Sequence, residues 1–263
     1  MKKKISLVQM DVALANPDKN RKKVEKMIEE AAKENPDIIC LCETWNVGFF
    51  PKENLLELAD VNGRQAMKLL SCLAKKHNVN IVGGSVANNK DGKIYNTAFV
   101  LNREGECVGE YDKIHGFSPS GEHTYFEGGT KVCTFELDGI KAGIIICYDI
   151  RFAELARTLA LKGIQILFIP AQWPHPRLEH WKTLARARAI ENQMFVAAIN
   201  GVGRAGDLKF CGNSMVIDPW GNVLTNGEEE EKVVTAEADF SIVEDIRNRI
   251  NVFNDRKPQY YEL

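Results

Sequence analysis

Residues 143–156 read GIIICYDIRFAELA. The apolar run Gly143–Ile146 is short and bounded by charge, which predicts a buried strand rather than a helix. Beyond it, Phe152, Leu155, Ala156 and Leu159 recur at helical spacing, which predicts a helix over about 151–161. Cys147 falls at the joint. A side chain at a strand-to-helix turn is held rigidly and can point into a cleft. The positive end of the following helix favours a thiolate there. The main-chain N–H of Tyr148 is then free to meet a developing oxyanion. The competing reading is structural, because unpaired cysteines are among the most buried residues.

The same alternation runs along the chain. Residues 4–12, KISLVQMDV, form a first strand. Asn16 and Pro17 then open a helix as N-cap and first-turn proline, with Val24, Met27, Ile28 and Ala31 as its apolar stripe. DIICLC (37–42) is a short buried strand, residues 63–77 an amphipathic helix, and VNIVGGSVA (79–87) the next strand. NKDGK (89–93) and NREGE (102–106) are hairpin turns flanking IYNTAFVL and CVGEYD. VCTFEL, DGIKAGIII, IQILFIP, MFVAAIN, NSMVIDPWGNVL and KVVTAEAD supply further strands, and 177–191 a further helix. Asp218, Pro219 and Gly221 suit a type I turn, and the acidic run 228–231 a solvated loop. This is an α/β chain with mixed strand directions, sheets inside and helices outside.

Composition excludes several classes. Over 263 residues the formal net charge is −2, so no electrostatic footprint for nucleic acid or an anionic membrane exists. The apolar stretch after Lys2–Lys4 is shorter than the roughly 7–15 residues of a secretory leader. No segment reaches the ~20 apolar residues of a membrane helix. The expectation is a cytoplasmic protein. Seven cysteines at irregular spacing do not form a disulfide framework. Cys40 and Cys42 lack a second pair at zinc spacing, so neither a metal nor a cofactor is expected.

A nucleophile needs a base and a charge stabiliser. Glu43 lies at the exit of DIICLC, and Lys113 follows CVGEYD. Both stand where open α/β folds place their sites. Each taken alone also reads as an ordinary surface charge.

Taken together, LCETW (41–45), YDKIH (111–115) and ICYDIRFAEL (146–155) resemble, in order and spacing, the three signature segments of the nitrilase superfamily of carbon–nitrogen hydrolases. The likeness continues through PAQWPHPRLEHWKTLARARAIENQMFV and GNSMVIDPWGNV, so it spans nearly the whole chain. It is nearest to the ω-amidase-like branch. The resemblance implies a four-layer α-β-β-α sandwich with two mixed sheets, one domain over 1–263, and a homodimer. The tail at about 250–263 would pack at the dimer interface, with the helices near 151–161 and 177–191 as further interface candidates. It implies Cys147 as nucleophile, Glu43 as general base, Lys113 as stabiliser of the tetrahedral intermediate, Glu122 as the second glutamate, and Tyr148 as oxyanion donor. Ala153 stands where proline is common in the family. Gly116 stands where a bulky apolar residue is common, in a loop that lines the pocket of relatives.

The chemistry agrees with those roles. Amide hydrolysis split through a thioester lowers two barriers. One carboxyl group can protonate the departing nitrogen and then deprotonate water. The implied substrate is a small linear carboxamide with a carboxylate at its far end, such as 2-oxoglutaramate. Arg177 is the candidate for that carboxylate, since its fork accepts a bidentate partner. Trp173 and Phe117 are candidate pocket walls. Arg151 and Arg188 read as structural ion-pair partners. An N-carbamoyl amide or simple aliphatic amide would use the same triad. Two rivals differ in kind: a Cys–His site using His115, and a non-enzymatic scaffold, which the presence of all four candidate residues disfavours.

Overall fold

In the computed structural model, which describes residues 1–49 and 51–261, two sheets lie face to face. Among the described residues the first has eight strands. Across it run 232–239, 2–9, 38–40, 80–82, 93–101, 86–90 and 60–61, with 107–112 paired to 93–101. The second has six, in the order 223–226, 215–217, 195–200, 166–171, 140–144 and 133–137. Each sheet contains three parallel strands in succession: 2–9, 38–40 and 80–82 in one, and 140–144, 166–171 and 195–200 in the other. Parallel strands are covered on both faces and read as unbroken apolar runs. Ile38–Cys40 and Ile166–Ala171 are accordingly buried at every residue.

The helices Pro17–Ala32 and Arg64–His77 cover the first sheet, and Leu178–Asn192 covers the second. Ala153–Leu161 packs on the second sheet through Gly143, where an added Cβ would lie 3.3 Å from Leu159. The order is therefore helix, sheet, sheet, helix, and one apolar cluster runs through it from Ile5 to Val243. Asn16 caps the first helix as its sequence predicts, its side chain accepting from the N–H of Lys19 at 3.1 Å. The Asp218 turn also forms, with the Gly221 N–H donating to the Asp218 carbonyl at 2.9 Å.

Three expectations are corrected. VNIVGGSVA is not one strand: Asn80–Val82 and Val86–Lys90 pair with the same partner strand, one register step apart, around Gly83–Ser85. Gly84 adopts a φ of 61° there, and a Cβ on it would lie 2.1 Å from the Cys42 carbonyl oxygen. DIICLC pairs only over Ile38–Cys40, because Leu41–Thr44 turns away to meet that bulge. The segment after Cys147 is a 3-10 turn, Cys147–Arg151, and the α-helix begins only at Ala153. The sequence reading also passed over the helix Ser241–Arg249. No helix among the described residues is long and apolar enough to cross a membrane. Of the tail, Glu262 and Leu263 lie outside the described residues. Before them the chain forms a short helix, Val252–Asp255, and a turn in which Tyr260 is exposed.

Candidate active site

The exits of the parallel strands of both sheets meet at one place, and the chemistry collects there. Cys147 follows the strand Ile140–Ile144 and takes a φ of 47°, a left-handed conformation rare for a side chain of its kind. A side chain held in that region needs surrounding structure to fix it. Asp149 supplies it. This fully buried carboxylate accepts from the Ile146 N–H at 3.0 Å, the Tyr111 hydroxyl at 2.7 Å and the His115 N–H at 3.0 Å. The His115 ring also meets it through Nδ1 at 2.7 Å. Tyr148 is the second residue of the 3-10 turn Cys147–Arg151 and lines the same cavity as Cys147.

Glu43 comes from the opposite sheet. The Gly83–Ser85 bulge holds its neighbours: Thr44 N–H donates to Ser85 Oγ at 2.9 Å, and Trp45 N–H to the Ser85 carbonyl at 3.0 Å. Gln172, just past the strand Ile166–Ala171, grips it from the other side. Its main-chain N–H donates to Glu43 Oε2 at 2.9 Å, and its side-chain amide to the Glu43 carbonyl at 2.8 Å.

Lys113 leaves the strand Cys107–Asp112 with its own N–H bound to the Asn96 carbonyl at 2.9 Å. Its ammonium lies 2.8 Å from Glu43 Oε1 and 2.8 Å from Glu122 Oε1. Glu122 in turn accepts from the Phe117 N–H at 2.7 Å, which cinches the 117–122 loop. Asn96 bridges the two carboxylates, donating to Glu43 at 2.9 Å and more loosely to Glu122 at 3.4 Å. Glu43, Lys113 and Glu122 are each no more than 4% exposed. Buried charges of this kind stand only when paired.

The electrostatics follow from that burial. Desolvation opposes the charge on Lys113, yet the carboxylates of Glu122 and then Glu43 outweigh it and hold its pKa well above the ordinary lysine value. The Cys147 thiol is pushed well above the ordinary range by burial first and by the Glu43 carboxylate second, with Lys113 pulling the other way. Both causes favour the neutral thiol at Cys147. This corrects the expected thiolate: no α-helix begins at Cys147, and two carboxylates against one ammonium leave the local balance negative.

A narrow cavity of about 20 Å³ joins these groups, lined by Glu43, Lys113, Glu122 and Cys147 at its base and by Phe117, Trp173 and Arg177 above. All eight predicted site residues are brought together, Tyr148 included. A larger hollow of about 450 Å³ holds none of this chemistry, and one of about 410 Å³ shares Lys113 and Glu122 with the cavity. Phe117 packs edge-on to Tyr148 at 5.1 Å, and the Arg177 guanidinium lies 5.1 Å from the Phe117 ring centre.

Two departures concern cations and histidine. Arg188 does pair, with Glu191 at 2.6 Å. Arg151 has no carboxylate partner among the described residues; it lies 4.9 Å over the Trp173 ring and lines the cavity. His115 does not line the cavity: its ring bonds to Asp149 and stacks on Phe152 at 3.6 Å. That removes the geometric basis for a Cys–His pair. Gln172, Asn96 and Asp149 were missed. For Asn96 a signal existed, a polar side chain inside the otherwise apolar strand IYNTAFVL. For Gln172 and Asp149 nothing local marks the partner.

Residues 4–248 match the carbon–nitrogen hydrolase family model. The chain is 47% identical over 261 residues to a 2-oxoglutaramate amidase of Bacillus subtilis (strain 168), covering 99% of this chain and 100% of that one. It is 34% identical to an omega-amidase of Xenopus laevis, covering 99% and 97%. Among solved structures, a carbon–nitrogen hydrolase superfamily protein of Xanthomonas campestris superposes with a TM-score of 0.92 at 29% identity, over 100% of this chain and 99% of that one. That protein carries an arsenic adduct in its active site. The fold is the α-β-β-α sandwich of these neighbours. The likeness runs end to end, at identities far above what shared architecture alone produces, and supports hydrolysis of an amide carbon–nitrogen bond: the chain belongs to the carbon–nitrogen hydrolase family of the nitrilase superfamily.

Proposed function

We propose that this protein is an ω-amidase. It hydrolyses the terminal carboxamide of a small linear acid such as 2-oxoglutaramate and releases ammonia through a thioester on Cys147. The observation that carries the reading is the Lys113 ammonium shared between two buried carboxylates at the base of the Cys147 cavity, with two arginines lining its walls. The relatives named above support the substrate class.

The steps follow from the geometry. Glu43 takes the Cys147 proton as sulfur bonds to the amide carbon. The oxygen that becomes negative is met by the Lys113 ammonium and the Tyr148 N–H. Glu43 then gives its proton to nitrogen, the C–N bond breaks and NH₃ leaves. Water next gives a proton to Glu43 and attacks the thioester, and sulfur leaves and takes that proton back. A neutral Cys147 thiol suits this cycle, because its proton is the one Glu43 carries to the departing nitrogen. Glu122 touches Lys113 and the loop rather than sulfur, and holds the ammonium in place. Arg177 and Arg151 take the distal carboxylate, and Trp173 and Phe117 confine the chain between. The cavity holds about one water, so Phe117, Arg151 and Arg177, all only half-buried, turn outward to admit substrate. The protein works in the cytoplasm as a homodimer of one-domain chains.

Ammonia release across 2-oxo acid amides, glutamine, N-carbamoyl compounds and aliphatic amides tests the substrate. Preference for N-carbamoyl or uncharged amides would overturn it. Glu43→Gln is expected to lower turnover about 10⁴-fold, at the upper end for a general base, while His115→Ala keeps a stoichiometric Cys147 thioester in intact mass spectra.

A further inference from the structure

The cavity that holds Cys147 reaches Lys113 and Glu122 from one side. A second hollow of about 410 Å³ reaches the same two residues from another. It opens near the surface turn at Gly92, runs along the face of the strand Lys93–Leu101 that carries Ile94 and Asn96, and is roofed by the loop containing Thr124. Gly116 also lies on its wall, packed so closely on His123 that an added Cβ would lie 3.0 Å from the His123 main-chain nitrogen.

The inner end holds an unsatisfied group. Asn96 is 1% exposed, and its Nδ2 is committed to Glu43 and Glu122. Its Oδ1 has no hydrogen-bond partner among the described residues. A buried acceptor left alone is costly, because it has given up water and gained no donor in return. That cost is met if the oxygen receives a hydrogen from a small N–H or O–H molecule.

The reaction needs such molecules to move. Each turnover releases one NH₃ beside Glu43 and admits one water to the same place. The front cavity has room for about one water, and an acyl chain on Cys147 fills it. We propose that the hollow behind Lys113 and Glu122 is a rear port for ammonia and water, with Asn96 Oδ1 as the acceptor that receives the passing molecule. The proposal rests on the amidase reading above. Both molecules are neutral, small and able to donate a hydrogen bond, which is what a lone amide oxygen selects. The Lys113–Glu122 contact at 2.8 Å is the gate they pass.

Filling the hollow tests the port. Ile94→Phe narrows its inner part, and Thr124→Trp blocks the exposed rim should the first variant fold poorly. Neither position bonds to Glu43, Lys113, Glu122 or Cys147. The expected result with 2-oxoglutaramate is kcat about tenfold lower and a thioester that accumulates on Cys147 in rapid-quench intact mass spectra, as when a later step becomes limiting. The rate of first-turnover thioester formation stays within about twofold. A variant whose crystal structure shows the hollow filled, yet which keeps normal kcat and accumulates no thioester, overturns the port. So does slowed thioester formation with normal breakdown. If the unsubstituted protein forms no thioester with any amide, the amidase reading itself fails and the port falls with it.

Discussion

The main-chain N–H of Gln172 donates to Glu43 Oε2 at 2.9 Å across 129 positions of sequence. The two residues leave middle parallel strands of different sheets, so this bond exists only when the sheets are stacked. Gln172 adds side-chain bonds to the Glu43 carbonyl at 2.8 Å and Thr44 Oγ1 at 2.9 Å. Gln172→Leu keeps the main-chain bond and removes both side-chain bonds. Lost buried hydrogen bonds are worth about 1–3 kcal/mol, so kcat should fall about 10- to 100-fold. Steady-state ammonia release reads this, and undiminished kcat would mean that Glu43 is held by other means.

Gly84 tests the bulge that supports Glu43 from below. Alanine there meets a left-handed backbone and a Cβ 2.1 Å from the Cys42 carbonyl oxygen. The left-handed region alone costs a side chain about 1–2 kcal/mol. With the clash, Gly84→Ala should lose more than that in urea unfolding. A loss below about 1 kcal/mol would show that the bulge relaxes freely.

Arginine chemistry separates the substrate classes. Arg177→Ala should lower kcat/KM about 10- to 100-fold on amides that carry a distal carboxylate, in keeping with charged hydrogen bonds of about 1.5–3 kcal/mol. Neutral aliphatic amides should lose far less. Arg151→Ala should behave the same way, because that guanidinium lines the cavity without a carboxylate partner of its own. Equal losses on both classes would remove the carboxylate clamp.

Buried thiols give the protein an alkaline limit. Desolvation pushes Cys42 and Cys211 up to about 12 and Cys133 up to about 11, and raises Cys40 and Cys147 well above the ordinary thiol range. Above pH 9 the unfolded chain releases these protons while the folded chain keeps them. The folded state then binds more protons, so stability falls as pH rises. Urea midpoints should drop between pH 8 and pH 10, and Cys40→Ala should flatten the slope. A midpoint that holds steady across that interval would contradict the burial of these groups.

The Cys147 thiol adds a spectroscopic counterpart. Glu43 is the second cause of the raised Cys147 value, after burial. Glu43→Gln removes its negative charge, so the thiolate absorbance at 240 nm should appear at lower pH than in the unsubstituted protein. An unchanged titration would place the carboxylate too far from sulfur to serve as its base.

Much of this was legible in the chain. The apolar runs around Ile38–Cys40, Ile166–Ala171 and Phe195–Asn200 announce buried parallel strands, because burial on both faces leaves no polar alternation. The Asn16–Pro17 helix start and the Asp218 turn are local chemistry and appear where local chemistry puts them. Glu43, Lys113, Cys147 and Glu122 were identifiable as a set, since three motifs in order carry information that no single one does. Phe117, Trp173 and Arg177 line the same cavity as that set.

What the sequence could not carry was everything that depends on two distant segments meeting. The Gly83–Ser85 interruption looks like continuous strand, and only contact with the Cys42 carbonyl explains it. The grip of Gln172 on Glu43, the bridge made by Asn96 and the brace of Asp149 beneath Cys147 each join elements far apart in the chain. The charge state of Cys147 is the clearest case. Read locally, a strand-to-helix turn argues for a thiolate. In the folded protein, burial and the Glu43 carboxylate keep the thiol protonated, because desolvation and charge act through space and take no account of sequence distance.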